Sequence, residues 1–294
     1  MEKYITVFKE AFMEMVDWTW ASILFEVSWY TNYFWGLIAI SLFVWFLEMA
    51  FPWRKNQSII RKDFWLDGFY MFFNFFIFAI VINGVYNILE VFFGSLGITE
   101  KSLALIDISG WPMWGQLLIF FIIIDFVQWC THIILHKYDF LWRFHKVHHS
   151  VKEMGFAAHL RFHWMENIFY KPLKTFGVMI LGGFEPEQAY IVHFIAIAIG
   201  HLNHANIKIT WGPLKYVFNS PVMHLYHHVK ALPEGRAKGI NFGISLSLWD
   251  YIFKTNYVPE DSGTIELGFP DEETFPKGFF GQIVYGFFKN KDGE

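Results

Sequence analysis

The side chains that could do chemistry in this chain are histidines, and they are gathered. All 13 fall between residues 132 and 228. His132 and His136 form H-x-x-x-H. His145, His148 and His149 form H-x-x-H-H, a spacing that returns at His224, His227 and His228 just after Pro221. The stretch "HLNHAN" adds His201 and His204. On a helix, residues three and four apart share a face, so each box can turn its rings toward a common point. A zinc enzyme uses about three protein ligands and a structural zinc about four. The eight histidines of the three boxes, ten with His201 and His204, therefore match two metal ions with open positions. Imidazole suits iron, zinc and copper alike, so donor type alone does not name the metal.

Other chemistries are excluded. The single cysteine, Cys130, leaves no internal disulfide framework, no Cys-ligated zinc and no four-thiolate cluster. Any metal must be held by nitrogen and oxygen. A net charge of −4 gives no basic field of the kind that draws nucleic acid. The remaining histidines read more plainly. His193, alone in an apolar stretch, is expected to be a hydrogen-bonded core residue, and His159 leans the same way. His163 sits in "RFHWMEN", balanced between ligand and structural residue, with Arg161 and Glu166 as partners able to orient a ligand.

The elements that must position these residues are membrane helices. Of 294 residues 54% are hydrophobic, 21% aromatic and only 17% charged, against about 25% charged in an average soluble domain. Mean hydropathy is +0.31. A bilayer span needs about 20 apolar residues. Residues 27–47 and 68–89 carry no charge. A third span, about 113–135, is interrupted at Asp125. Two shorter stretches, 162–183 and 188–205, read as a hairpin that enters or crosses the membrane, turning at Gly182, Gly183 and Pro186. The first twenty residues contain Glu2, Glu10, Glu14 and Asp17 and no basic n-region, unlike a cleavable signal. They read as a short, partly amphipathic helix near the membrane surface.

Charge sets the orientation. The loop after the first span, "PWRKNQSIIRKDF", is basic, the second loop is not, and Lys137, Arg143, Lys146, Lys152 and Arg161 follow the third span. Basic loops favour the cytoplasm, so the boxes are expected on that side. The expected fold is all-α and polytopic: roughly four transmembrane helices in two hairpins, with a cytoplasmic helical cap carrying the histidines. Residues 1–110 would form the interfacial helix and first hairpin, 111–260 the metal-binding domain and 261–294 a polar tail.

Taken in order, H-x-x-x-H, "LWRFHKVHHS", "HAN", "PVMHLYHHV", "NFG" and "SLWDYIF" resemble the fatty acid hydroxylase/sterol desaturase superfamily of integral-membrane non-haem di-iron oxidases, over roughly residues 110–260. The resemblance implies metal ligands at His132, His136, His145, His148, His149, His224, His227 and His228, completed by His204 and His201. Asp125, Asn206, Asn241 and Asp250 fall at positions that look like the family's polar ones and are expected to orient ligands or support the fold. Two iron ions, O2 as co-substrate and a lipid substrate follow from the resemblance. A histidine shell holding two ferrous ions would oxidise a fatty acyl, sterol or related C–H bond to an alcohol or an alkene.

Electrons would come from a separate carrier, cytochrome b5-, ferredoxin- or reductase-like, since no dinucleotide-binding G-x-G-x-x-G follows a strand. Arg143, Lys146, Lys152, Lys230, Arg236 and Lys238 offer a basic docking face, although positive-inside topology alone would also account for them. Two rival classes remain: a membrane metalloenzyme using zinc for non-oxidative chemistry, and a metal-binding or transport protein. A transporter would place its ionisable residues along a path at mid-membrane depth, whereas here the strong boxes lie beyond the spans.

Overall fold

A computed structural model describes residues 1–259 and 265–287. The chain is built of helices: α1 Glu2–Ile23, α2 Tyr33–Ala50, α3 Phe64–Phe72, α4 Phe78–Ser95, α5 Glu100–Leu103, α6 Met113–Lys137, α7 Asp139–His149, α8 Trp164–Met179, α9 Pro186–His204, α10 Pro221–His227, α11 Leu248–Ile252 and α12 Phe279–Val284. A π-helical segment, Phe73–Ile77, fuses α3 and α4 into one rod. Among the described residues, three helices are long and apolar enough to cross a membrane: Tyr33–Ala50, Phe64–Ser95 and Met113–Lys137. Their outward faces carry exposed Leu42, Phe43, Val81, Phe92, Leu118 and Ile134, as lipid-facing helices should.

Several boundaries move for local reasons. The first span starts at Tyr33 because Asn32 caps the helix, its side chain accepting from the Trp35 N–H while its amide donates to the Ser22 carbonyl. Asp125 does not interrupt α6. Its carboxylate accepts from the Ser245 and Leu246 N–H groups and from the Trp249 indole, so a buried charge is satisfied from outside the helix. The N-terminal segment forms a helix as expected, but one of 22 residues rather than a short one, packed along α4. Gly84 permits this, because a Cβ there would lie 2.5 Å from the Phe8 ring.

Helices α8 and α9 occupy the ranges expected for a hairpin, yet neither is among the three long apolar helices. Their contacts fall mainly elsewhere: α8 packs on α6, and α9 packs on residues 156–160, α10 and α2. The turn between α8 and α9 is fixed by two parallel strands, β1 Ile106–Asp107 and β2 Leu181–Gly182. Gly183, at φ +81, then reverses the chain into a capping box formed by Glu185 and Gln188. This turn therefore sits beside the loop leading into α6, at the opposite end of α6 from His132 and His136.

Part of the expected polar tail is packed. Leu267, Phe269 and Phe275 are buried. Tyr70 donates to the buried Gln282 side chain, and the His163 and Trp164 ring N–H groups donate to the Ile283 carbonyl. The apolar residues in "IELGF" and "ETFPKGFFGQIV" explain why this segment folds back. The rest of that expected tail, 261–264 and 288–294, lies outside the described residues.

Candidate metal centre

Helix α6 ends at Lys137 and α7 begins at Asp139, with Tyr138 as an extended hinge between them. A one-residue hinge forces the second helix back across the end of the first, laying His145, His148 and His149 beside His132 and His136. From the other side α10 brings His224, His227 and His228. Its start is fixed by Ser220, whose side chain accepts from the Met223 N–H, and by Pro221 in its first turn, where a missing N–H costs nothing.

Nine histidines meet, and they sort into two groups able to hold a metal. One is His132, His136, His145, His149 and His227; the other is His148, His204, His224 and His228. Within each group the candidate ligand atoms lie within 4.8 Å of one another, and all nine residues are buried. The sorting follows helical spacing. Pairs four apart stay together (132 with 136, 145 with 149, 224 with 228), while the third member of each H-x-x-H-H box, His148 or His227, crosses to the other group. Each H-x-x-H-H box thus serves both groups, which adjoin: the rings of His149 and His228 are 4.5 Å apart.

The ring nitrogens bear on what the groups can hold. His132 Nδ1 donates to the Phe242 carbonyl at 2.8 Å, His227 Nδ1 to the Ile240 carbonyl at 2.8 Å and His145 Nδ1 to the Glu166 carboxylate at 2.9 Å. In the second group His148 Nδ1 donates to the Arg161 carbonyl and His204 Nδ1 to the Gly200 carbonyl. A carbonyl can only accept, so these imidazoles carry their proton on Nδ1 and an unshared pair on Nε2. The bare nitrogens face each other: His132 Nε2 and His145 Nε2 at 3.1 Å, His148 Nε2 and His204 Nε2 at 3.3 Å. Two lone pairs at that distance repel unless a cation lies between them. Neighbouring donors about 2.1 Å from one ion would be about 3.0–3.4 Å apart. The residues fit a metal in each group. His227 Nε2, buried and without a hydrogen-bond partner, fits the same reading.

Electrostatics agree. Burial pushes the His148 imidazole down to about 3. Burial first, then neighbouring imidazoles, lowers His145, His149, His224, His227 and His228 well below their ordinary value. Neutral imidazole is the form that binds metal.

Around the ligands, the polar residues hold backbone rather than rings. Asp250 accepts from the Phe242 and Gly243 N–H groups and the Trp129 indole, fixing the carbonyl that orients His132. Asn241, at φ +54, is anchored by the Met223 and Tyr257 carbonyls, and this left-handed residue lets Ile240 and Phe242 both offer carbonyls to histidines. Asn206 bonds the loop at Arg54, and Asp125 pins residues 245–249 from α6. None of the four touches a ligand ring. Glu166 does, and Arg161 supplies its carbonyl while its guanidinium is held by Asp67, Asp63 and Ser150. Asp67, which also pairs with Arg61, went unnoticed in the sequence because an acidic residue six positions from an arginine carries no distinctive pattern.

The structure does not bring His201 to either group. Its Nε2 meets Ser41 Oγ at 3.1 Å and its Nδ1 meets His159 Nδ1 at 2.9 Å. His163 caps α8, and His193 meets the Tyr33 hydroxyl. On the basic face, Lys152 pairs with Glu272, Lys230 with Glu266 and Glu272, and Lys238 with Asp139, so much of that charge is matched within the chain.

Beside the histidines opens a cavity of about 1030 Å3, at the upper end of the usual range for ligand pockets of about 300–1,000 Å3. His132, His145, His148, His204 and His224 line it, together with residues of α4, α8 and α9.

Comparison with known proteins agrees with this geometry. The fatty acid hydroxylase family model matches residues 117–255, a span that contains all nine clustered histidines. An ornithine lipid hydroxylase, OlsE, of Rhizobium tropici is 32% identical over 60% of this chain and 52% of its own length. A methylsterol monooxygenase of Arabidopsis thaliana is 27% identical over 54% of this chain and 55% of its own length. The human alkylglycerol monooxygenase is 28% identical over 46% of this chain and 29% of its own length. The chain thus spans about half the length of the first two and less of the third. No solved structure matches. Over residues 117–255, a little under half of its length, the chain is thus similar to the fatty acid hydroxylase family.

Proposed function

We propose that this chain is a membrane-bound oxidase of the non-haem di-iron class that hydroxylates, or desaturates, a C–H bond of a lipid. The observation that carries the reading is the pairing of two buried imidazole groups, their unshared nitrogens turned inward, with a large cavity at their edge. Three apolar helices long enough to span a bilayer put that cavity within reach of lipid. The relatives are named as lipid hydroxylases or monooxygenases, which favours an alcohol as product over an alkene. We assign the histidine end to the cytoplasmic side, because the basic loop at Arg54 and Gln57 packs against Met154 at that end and basic loops remain inside. A separate electron carrier would dock there.

Iron held by the two groups would supply reductive activation of O2, giving an oxidant able to remove hydrogen from an unactivated carbon. The protein's own part is to orient, exclude and position. Glu166 fixes the plane of His145, and the carbonyls of Arg161, Gly200, Ile240 and Phe242 fix His148, His204, His227 and His132, so these five Nε2 atoms keep their lone pairs aimed inward. Phe75, Leu160, Phe162 and Ile197 line the cavity and keep water from the reacting carbon. The same apolar wall solvates an alkyl chain. The test is metal analysis of the purified protein together with lipid mass spectrometry of membranes with and without it. About two irons per chain and a lipid gaining one oxygen atom, or losing two hydrogens, support the proposal. Two zincs that survive iron-supplemented anaerobic preparation, with no lipid changed, would overturn it in favour of non-oxidative metal chemistry.

A further inference from the structure

Two cations on the cavity wall are not needed to hold metal. Lys171 and Lys174 lie mid-way along α8, one turn apart, and both line the cavity. The Lys171 ammonium stands 5.6 Å from the centre of the Tyr86 ring and the Lys174 ammonium 5.5 Å from that of Tyr170; both tyrosines also line the cavity. Among the described residues, neither ammonium has a carboxylate within ion-pair distance. Five other cations, Arg61, Arg161, Lys152, Lys230 and Lys238, are each paired with an acid, while Lys146, among the histidines of α7, rests over the Phe269 ring. Two acids share the wall with the lysines, Glu166 and Glu90. Glu166 is engaged by His145 and the His163 N–H, and Glu90 stands exposed near the far end of α4. Asp125 lies close enough to attract Lys174, but its oxygens are taken by Ser245, Leu246 and Trp249. Lys171 is exposed and Lys174 half-buried, so both ammonium groups are open to a ligand that enters the cavity.

Resting on the lipid-oxidase reading, we propose that the substrate is a lipid bearing an anionic group, carboxylate or phosphate, that Lys171 and Lys174 hold inside the cavity. Its apolar chain runs back toward the histidines. Helix geometry sets the scale. Lys171 and Lys174 follow Glu166 by five and eight residues, a rise of about 8 and 12 Å, and Glu166 contacts His145 directly. The two lysine backbones therefore stand about 8 and 12 Å along α8 from the residue that touches His145, which separates the anionic group from the carbon presented to the metal groups. Side chains on a helix lean toward its N-terminus, here the histidine end, so both ammonium groups lean inward along that path. Tyr86 and Tyr170 supply ring faces that stabilise the cations while the site is empty of lipid.

The test holds the chain constant and changes the head. Metal-loaded full-length protein in neutral detergent is titrated with hexadecanoate, hexadecyl phosphate and hexadecanol. At least one anion should bind roughly ten- to hundred-fold more tightly than the alcohol, the range of a charge-assisted hydrogen bond. Comparing the two anions tells carboxylate from phosphate. The double variant Lys171→Gln/Lys174→Gln should erase the preference, and Lys171→Arg/Lys174→Arg should restore much of it. Hexadecanol binding as tightly as both anions would overturn the proposal using wild-type protein alone, whatever the variants do to folding. So would a preference that survives in a metal-replete glutamine variant. Binding is read without turnover. Tight, lysine-dependent anion binding without oxidation of any lipid would therefore sink the oxidase reading alone, whereas oxidation of neutral chains with no lysine dependence would sink the anion site alone.

Discussion

The two histidine groups are built from the same boxes but held to different standards. In the five-histidine group, His132, His145 and His227 each have Nδ1 bonded to a named acceptor, one of them the Glu166 carboxylate, and His136 has a backbone hydrogen bond with Lys238. In the four-histidine group only His148 and His204 are so fixed, and the Nδ1 atoms of His224 and His228 are buried without a partner. An imidazole whose outer nitrogen is bonded cannot rotate or change tautomer without breaking that bond, and it is a stronger donor. The comparison teaches that one ion should be anchored firmly and its neighbour more loosely, which suits a centre that must exchange coordination positions.

The largest effects should come from removing a ligand. His227→Ala is expected to empty the five-histidine group and His148→Ala the four-histidine group. Each should cut lipid oxidation more than a hundred-fold while the protein stays in the membrane, as read by metal content and product mass. Full metal occupancy in either variant would dissolve the division. Next comes Glu166→Ala, expected to weaken metal at the five-histidine group about 10–100-fold with the other group retained. Equal loss from both in a chelator titration would show that the carboxylate serves the centre as a whole. Wild-type protein under the same titration should release metal in two steps, and spectroscopic assignment of the first to the five-histidine group would reverse the comparison. A smaller effect is expected at Gly200, where an added Cβ would lie 2.2 Å from the His159 ring. Gly200→Ala should cost about 1–3 kcal/mol in thermal unfolding and loosen the four-histidine ion, since the Gly200 carbonyl holds His204. The smallest belongs to Ser41→Ala, which removes a partner of His201 outside both groups. It should lower stability by about 1 kcal/mol and leave metal content unchanged.

A good part of this was legible in the residues. The boxes stand at helical spacing, and spacing alone brings 132 to 136, 145 to 149 and 224 to 228. Apolar runs revealed the three long helices because a bilayer-length element has an unmistakable composition. Other features carried no such signal. In sequence Asn32 is one more polar residue inside a span, and its capping bonds arise only in the fold; Asp125 reads as an interruption because its three donors come from residues 245–249, over a hundred positions away. The segment 265–287 looked polar on average, yet a few aromatic residues suffice to dock it.

By itself, the sequence determined the donor chemistry, the number of imidazoles and the membrane setting, because these depend on residue type and on distances of a few positions. Tertiary structure alone decided which histidine joins which group, that His204 enters and His201 does not, and that Glu166, rather than Asp125 or Asp250, reaches a ligand ring. It also turned Lys171 and Lys174 toward the cavity that the histidines line. The physical reason is range. Helical periodicity fixes neighbours within a turn or two, whereas the facing of lone pairs across α6, α7, α9 and α10 depends on a one-residue hinge, a proline-started helix and backbone carbonyls whose identity no side chain reveals.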